Sequence, residues 1–150
     1  MNKHSKARGF TLIELLVVIA IIGILSAVVL ASLNTARSKG NDAAVQADLT
    51  GIRTQAALYQ NENGNYGTNL ADESSCSATD NLFNDPTIAK QVAGADAANA
   101  AGSVTCNVAA NGTAYAVSAE LVSTPGTYFC VDSTGVGTTT SSALGVDTGC

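Results

Sequence analysis

One carboxylate, that of Glu14, stands inside an apolar run near the start of the chain. The residues from 10 to 33 are almost wholly apolar, and Thr11, Glu14, Gly23 and Ser26 are among the few that interrupt them. A charged side chain in the hydrocarbon core of a bilayer costs roughly 2.5–3.5 kcal/mol on insertion scales, so it is retained for a function and needs a partner. Glu14 is therefore the first candidate functional residue.

Cysteine is the second residue type whose placement indicates chemistry. The chain has four cysteines, and all of them follow the apolar run: Cys76, Cys106, Cys130 and Cys150. An even number of cysteines in a polar region is typical of disulfide pairs formed in an oxidising compartment. We expect two disulfides and an exported C-terminal part.

Residues that could support catalysis are scarce. The one histidine, His4, lies among the first nine residues, so the rest of the chain has no His-assisted nucleophile and no histidine metal site. The acidic residues beyond the apolar run do not have the spacing of an EF-hand loop. We expect a protein that is not an enzyme and that binds no cofactor or metal.

Charge is distributed unevenly along the chain. Lys3, Lys6 and Arg8 crowd the first nine residues, whereas the acids lie almost entirely beyond Asn41, and the formal net charge is −5. This balance does not favour direct binding of nucleic acid. The basic start and the late cysteines both favour a cytoplasmic N-terminus and an exterior C-terminal part.

The apolar run predicts a helix that spans a membrane. Residues 10–33 would extend about 36 Å as an α-helix, which is enough to cross a bilayer. An ordinary secretory signal would have a shorter apolar region followed by a cleavage site of small residues, and this run has neither feature.

Residues 8–20 resemble the N-terminal signature of type IV prepilins and of the pseudopilins of type II secretion. Their sequence is RGFTLIELLVVIA. The resemblance implies that residues 1–9 form a leader, that prepilin peptidase cleaves between Gly9 and Phe10, and that Phe10 is then N-methylated. In one departure from the family, Ala31 occupies a position where many members have proline, so we predict no proline kink.

The resemblance also implies a role for Glu14 in assembly. The new amine of Phe10 is a cation, and Glu14 of a neighbouring subunit would pair with it and fix the axial register of a filament. A close ion pair at an effective dielectric constant of 20 gains about 4 kcal/mol before desolvation. Glu14 also lies one turn from Phe10 in its own chain, where it favours the positive end of the helix dipole.

The function implied is that of a structural subunit of a type IV pilus; the alternative is a pseudopilin of a type II secretion system. Expected partners are other copies, other pilins, prepilin peptidase, the inner-membrane assembly platform and the membrane. The subunit would be a single-pass protein of the inner membrane and then part of an extracellular pilus. A monomeric membrane-anchored binding module is a third class, although it has no use for Glu14.

The helix is predicted to continue through residues 10–63, with 10–33 in the membrane or filament core. Val45, Leu49, Ile52, Ala56 and Tyr59 recur at helical spacing and form one apolar stripe. The helix should end near residue 64, where Gly64 can act as a C-cap.

Residues 64–150 are predicted to form an exported head, and the fold class is α+β with a pilin-like three-stranded antiparallel sheet packed on the stripe. Apolar alternation predicts strands at 104–108, 115–119 and 127–131. Asn111-Gly112 indicates a two-residue hairpin and Pro125-Gly126 a second turn. A short helix is predicted near residues 86–92.

The predicted meander limits the disulfide pairing. Cys106 and Cys130 lie on its first and third strands, too far apart for a bridge. We prefer Cys76 with Cys106 and Cys130 with Cys150, because the second pair would tie down the tail; the pairing of Cys76 with Cys130 and of Cys106 with Cys150 stays open. Some pseudopilins hold calcium in a C-terminal loop, but we expect none between Asp132 and Asp147.

Overall fold

The computed structural model describes residues 9–67, 76, 80–99, 102 and 104–150, and the backbone of residues 70–73. The basic residues of the predicted leader and His4 lie outside the described residues. In chain order the elements are α1 (Leu12–Asn63), β1 (Leu70–Glu73), a short 3₁₀ helix (Leu82–Asn84), α2 (Pro86–Ala98), β2 (Thr105–Val108), β3 (Tyr115–Glu120), β4 (Tyr128–Asp132) and β5 (Gly137–Thr140). The chain divides into two compact units, Met1–Ala36 and Arg37–Cys150.

In the first unit, α1 exposes apolar side chains on every side. All residues from 9 to 36 are exposed, and Leu12 and Ile13 keep 74% and 72% of their surface accessible. The helix is long and apolar enough to cross a membrane: its best window has a mean hydropathy of 3.0 and no buried residue. A surface of this kind is suited to contact with lipid or with other apolar helices.

In the second unit, the later part of α1 buries the predicted stripe. Val45, Leu49, Ile52 and Ala56 are fully buried, and Tyr59 packs partly buried against the same core. Their spacing of three and four residues keeps them on one face of the helix. The amphipathic prediction for this part of α1 is confirmed.

An antiparallel sheet supplies the other side of this core. Its strand order is β1-β2-β3-β4-β5, and β2 to β5 pair with their neighbours in continuous register. Alternate side chains from the central strands enter the core, among them Val108, Val117 and Val131. The sheet is built from consecutive strands, so every connection within β2 to β5 is a short turn.

The prediction of three strands was wrong. The three predicted strands are present as β2, β3 and β4, but β5 extends the regular meander to four strands, and β1 adds an irregularly paired strand at the other edge. The sequence of β5 is Gly-Thr-Thr-Thr, which has no apolar alternation because neither face of this edge strand belongs to the main core. The sequence of β1, Leu-Ala-Asp-Glu, lacks alternation as well.

The predicted turns are present, with one difference. Gly64 follows the end of α1 with a φ of 79° and donates to the carbonyl of Gln60, as a C-cap does. Gly126 has a φ of 79° in the turn closed by Thr127 and Thr124. The Asn111-Gly112 hairpin connects β2 and β3, but the connection covers residues 109–114 rather than two residues, since Ala109 and Ala114 still pair across it.

The short helix predicted near residues 86–92 is α2, and it runs on to Ala98. Asp85 is its N-cap, and one oxygen of this side chain accepts hydrogen bonds from the backbone N–H groups of Thr87 and Ile88 at 2.9 and 3.1 Å. Pro86 occupies the first helical position, where its missing N–H costs nothing. Ile88 and Ala95 then join the core.

Candidate functional site

The predicted cleavage position lies on an open segment before α1. Gly9 and Phe10 are exposed and precede the first helical residue, Leu12. Phe10 keeps 85% of its surface accessible, and a Cβ atom added to Gly9 would meet nothing within 4 Å. A backbone of this kind offers no steric barrier to a peptidase at the bond between Gly9 and Phe10.

Glu14 is held by Thr11 in a capping box. The backbone N–H and the hydroxyl of Thr11 donate to Oε2 of Glu14 at 2.8 and 2.7 Å, while the N–H of Glu14 donates to Oγ1 of Thr11 at 3.2 Å. Thr11 is thus the N-cap of α1 and Glu14 its third residue. These bonds satisfy two backbone donors at the helix start that would otherwise be unpaired.

The capping box leaves part of the Glu14 carboxylate available. Its Oε1 accepts no hydrogen bond from any described residue, and the carboxylate contacts Thr11 rather than Phe10. The arrangement fixes the side-chain direction while one oxygen remains for an external donor. Thr11 was missed in the sequence analysis, although the spacing Thr-x-x-Glu is the usual signature of a capping box.

The four cysteines lie in the two pairs preferred from the sequence. Cys76 is bonded to Cys106 with a Cα–Cα distance of 5.2 Å, and Cys130 to Cys150 with 5.8 Å. The first pair links the segment before α2 to strand β2, and the second links strand β4 to the tail. Closing loops of this length stabilises a small domain by roughly 3 kcal/mol each in the chain-entropy account.

Side chains of the sheet also hold the tail on its outer face. Leu144 packs against Ala116 and Cys130. Nδ2 of the buried Asn107 donates to the carbonyls of Gly145 and Asp147 at 2.8 and 2.6 Å. The docking of the tail therefore rests on apolar contact and hydrogen bonds in addition to its disulfide.

Asp132 closes this arrangement at the end of β4. Its Oδ1 accepts from the N–H and hydroxyl of Thr134 and from the N–H of Val136, and its Oδ2 accepts from the N–H of Cys150 at 2.9 Å. Burial alone would raise the pKa of Asp132, but these hydrogen bonds together hold it below its ordinary value. Both oxygens are engaged by the protein, and the described residues contain no group of three or more potential metal ligands.

Protonation of Asp132 should destabilise the head in acid. Because its folded pKa lies below the ordinary value of 3.8, the stability it contributes is present above about pH 4 and is lost as the pH falls through the folded pKa. Urea unfolding of the full chain in detergent, measured from pH 7 to pH 2.5, should show a steeper loss for the native chain than for Asp132→Asn. Equal losses of stability with pH in the two proteins would show that protonation of Asp132 does not destabilise the head.

Asp42 is a buried carboxylate with a structural role that the sequence analysis missed. It is 7% exposed and accepts hydrogen bonds from the N–H groups of Val122 and Ser123 and from the hydroxyl of Ser123. The contact joins α1 to the loop between β3 and β4. The signal was present, since Asp42 precedes Val45 by three residues and continues the spacing of the apolar stripe.

Removing this carboxylate should cost the head much of its stability. Asp42→Ala leaves two backbone donors in a partly buried loop without acceptors, and we expect the free energy of unfolding to fall by about 2–4 kcal/mol. Urea unfolding in detergent, followed by the near-ultraviolet circular dichroism of the tyrosines, measures this loss. The exposed Glu62 of the same helix provides the control: Glu62→Ala should change stability by about 0.5 kcal/mol or less, and a similar loss in both variants would contradict the role of Asp42.

Comparison with known families places a defined motif on the first part of the chain. Residues 4–30 match the family described as the prokaryotic N-terminal methylation motif. The matched range includes Gly9, Phe10, Thr11 and Glu14, which form the segment described above. It covers less than half of the chain.

Individual relatives come from two kinds of assembly. The chain is 49% identical over 65 residues to the type IV wide pilus major component PilA4 of Thermus thermophilus. The aligned region covers 43% of this chain and 50% of that protein. It is 34% identical over 68 residues to the type II secretion system core protein G of Escherichia coli. This aligned region covers 45% of the chain and 47% of the relative. The core protein G of Dickeya chrysanthemi is 33% identical over 65 residues, 43% of this chain and 42% of the relative.

The chain thus spans about half the length of the curated relatives it matches. No solved structure matches it significantly. These names are those of a pilus component and of core proteins of a secretion system, and the chain is homologous to both groups.

Proposed function

We propose that this chain, a homologue of type IV pilins and of type II secretion core protein G, is a structural subunit of a type IV pilus. It would be made as a precursor, cleaved between Gly9 and Phe10 by prepilin peptidase, N-methylated on Phe10 and polymerised through its apolar helix. The role is one of assembly and surface display rather than catalysis.

The observation that carries this proposal is the surface of α1 from residue 12 to 33. It is apolar and exposed on all sides, and its one ionised side chain, Glu14, lies in the first turn with Oε1 unengaged by the described residues. Capping of α1 would serve a plain membrane anchor equally, but it engages only Oε2 of Glu14 and supplies no ionic partner for a carboxylate in an apolar segment. A helix that leaves the lipid to pack among copies of itself can use this carboxylate to bind the amine of a neighbouring Phe10.

Processing at Gly9 explains how such an amine arises. Cleavage produces an α-amino group on Phe10, four residues before Glu14, and removes the basic leader. Of the seven Lys and Arg residues, four then remain against twelve acids, so the formal net charge becomes −8. The acidic subunit is poorly suited to bind nucleic acid directly.

The proposed partners and location follow from this assembly route. Before assembly the chain crosses the inner membrane once, with its disulfide-containing head outside the cytoplasm, where it meets prepilin peptidase, the inner-membrane assembly platform and other pilins. After assembly it forms part of an extracellular pilus. The two disulfides fit an oxidising exterior.

A pseudopilin of a type II secretion system is the second candidate. It is favoured by the identity of 33–34% to the core proteins G of two organisms. Identity to the pilus component is higher, at 49%, and we therefore place the pilus first.

The experiment that separates the two candidates is immunogold electron microscopy with antibodies against the head. In the native organism we expect labelled filaments along their full length, which disappear when the gene is deleted and return with the native chain. Absence of labelled surface filaments, together with a loss of enzyme secretion in the deletion strain, would favour the pseudopilin. A deletion that alters neither surface filaments nor enzyme secretion would overturn both candidate functions.

A further inference from the structure

Two basic residues, Arg37 and Lys39, lie on α1 shortly after the apolar run. At 1.5 Å per residue, the helix from Leu12 to Leu33 covers about 32 Å, close to the roughly 30 Å of a bilayer's hydrocarbon core. The same rise places Arg37 about 6 Å and Lys39 about 9 Å beyond Leu33. The headgroup layer adds roughly 5–8 Å on each side of the core, so both flexible side chains reach it.

Neither cation is neutralised within the described residues. Both side chains are exposed, and neither has an ion pair or a hydrogen bond to another described residue. The nearest acid on the helix is Asp42, three residues after Lys39, but its carboxylate is engaged by the backbone of Val122 and Ser123. Among the residues that the structure describes, the pair thus has no counter-ion.

The spacing of the two residues favours lipid over a neighbouring protein. Positions two residues apart are separated by about 200° around an α-helix, so the two side chains leave from nearly opposite sides. A single flat protein surface cannot contact both. The headgroups of a bilayer surround the helix and can contact both at once.

We propose that Arg37 and Lys39 bind the phosphate groups of anionic phospholipids in the leaflet on the exported side. The inference rests on the proposed membrane-spanning function and deepens it. Bound headgroups would fix the height of the helix in the bilayer before assembly. Polymerisation would then have to break these contacts as the helix leaves the lipid.

Energy transfer from a single tryptophan tests the proposal in the full chain. The protein has no tryptophan, so Leu33→Trp places a reporter next to the basic pair. The variant is reconstituted in phosphatidylcholine vesicles containing a trace of dansyl-labelled phosphatidylglycerol or dansyl-labelled phosphatidylcholine. Transfer falls steeply with distance, so lipids around the N-terminal leader contribute little to the signal.

We expect the phosphatidylglycerol label to receive more energy than the phosphatidylcholine label, by about threefold, since a basic residue near an anionic surface gives up to about a fivefold preference. Adding Arg37→Gln and Lys39→Gln should bring the ratio close to 1. Adding Lys90→Gln, which alters an exposed lysine on α2, should leave it unchanged, and millimolar inorganic phosphate should not reduce it.

Three results would overturn the proposal without contradicting insertion of the helix into the membrane. A ratio near 1 in the Leu33→Trp protein, or a raised ratio that persists after Arg37→Gln and Lys39→Gln are added, overturns lipid binding while insertion stands. Cross-linking of copies that depends on Arg37 and Lys39, without lipid preference, would assign the pair to a protein partner instead. Extraction of the chain from the vesicles by alkali would overturn the membrane-spanning function as well.

Discussion

Replacing Glu14 with alanine should abolish filament assembly while leaving the head folded. In the proposed filament the variant leaves the amine of each Phe10 without its carboxylate in an apolar core. The lost ion pair is worth up to about 4 kcal/mol at an effective dielectric constant of 20, or roughly a thousandfold in an equilibrium constant. We expect the amount of the subunit in sheared surface filaments to fall by at least about 100-fold, as measured by quantitative immunoblotting.

The matched variant Glu14→Gln separates charge from helix capping. Glutamine at the third helical position can keep the capping box with Thr11, but it carries no charge. If the ion pair drives assembly, Glu14→Gln should fail as Glu14→Ala does. Normal filaments from Glu14→Gln would contradict the ionic role and leave capping as the function of this side chain.

Substituting Gly67 should produce a large loss of stability in the head. Gly67 has a φ of 103°, and a Cβ atom there would lie 2.5 Å from the carbonyl oxygen of Asp80 and even closer to the Cα atom of Asn81. These are backbone atoms, which cannot rotate away. We expect Gly67→Ala to lower the free energy of unfolding by about 3–5 kcal/mol in urea titrations of the full chain in detergent.

Gly126 is the matched control because it shares the conformation but not the crowding. Its φ is 79°, and an added Cβ atom would meet nothing within 4 Å. Gly126→Ala should therefore cost only the conformational penalty of about 1–2 kcal/mol. Equal losses in the two variants would show that the contact with residues 80 and 81 is unimportant.

The conformation of Gly67 also excludes proline at this position. Proline fixes φ near −65° and cannot adopt 103°. The chain instead makes a bridge between Gly67 and Asn81, and Leu82 donates to the carbonyl of Tyr66 at 3.0 Å. We conclude that the end of α1 connects to the head through a turn that requires glycine.

Features set by local spacing could be predicted from the sequence, whereas edge elements could not. The stripe of Val45, Leu49, Ile52 and Ala56 follows from helical periodicity alone. Strands β2 to β4 follow from apolar alternation. Strand β5 pairs through its backbone and has only glycine and threonine, so its side chains carry no signal of burial.

The same distinction applies to the candidate site. Glu14 stands out because it is charged among apolar residues, and Thr11 could have been found from the capping spacing. The contact of Asp42 with the loop at Val122 joins residues 80 apart in sequence, and the contact of Asn107 with Gly145 in the tail joins residues 38 apart. Contacts of this kind depend on how the sheet folds back, which local patterns do not specify.

The N-terminal chemistry of the protein in surface filaments tests the central claim most directly. The intact mass and the N-terminal sequence of the protein can be measured in the sheared material and in the membrane fraction of the same culture. We predict that the sheared chain begins at Phe10 and carries one methyl group on its amine. An unprocessed chain that begins at Met1 and remains in the membrane would contradict the assignment as a pilus subunit.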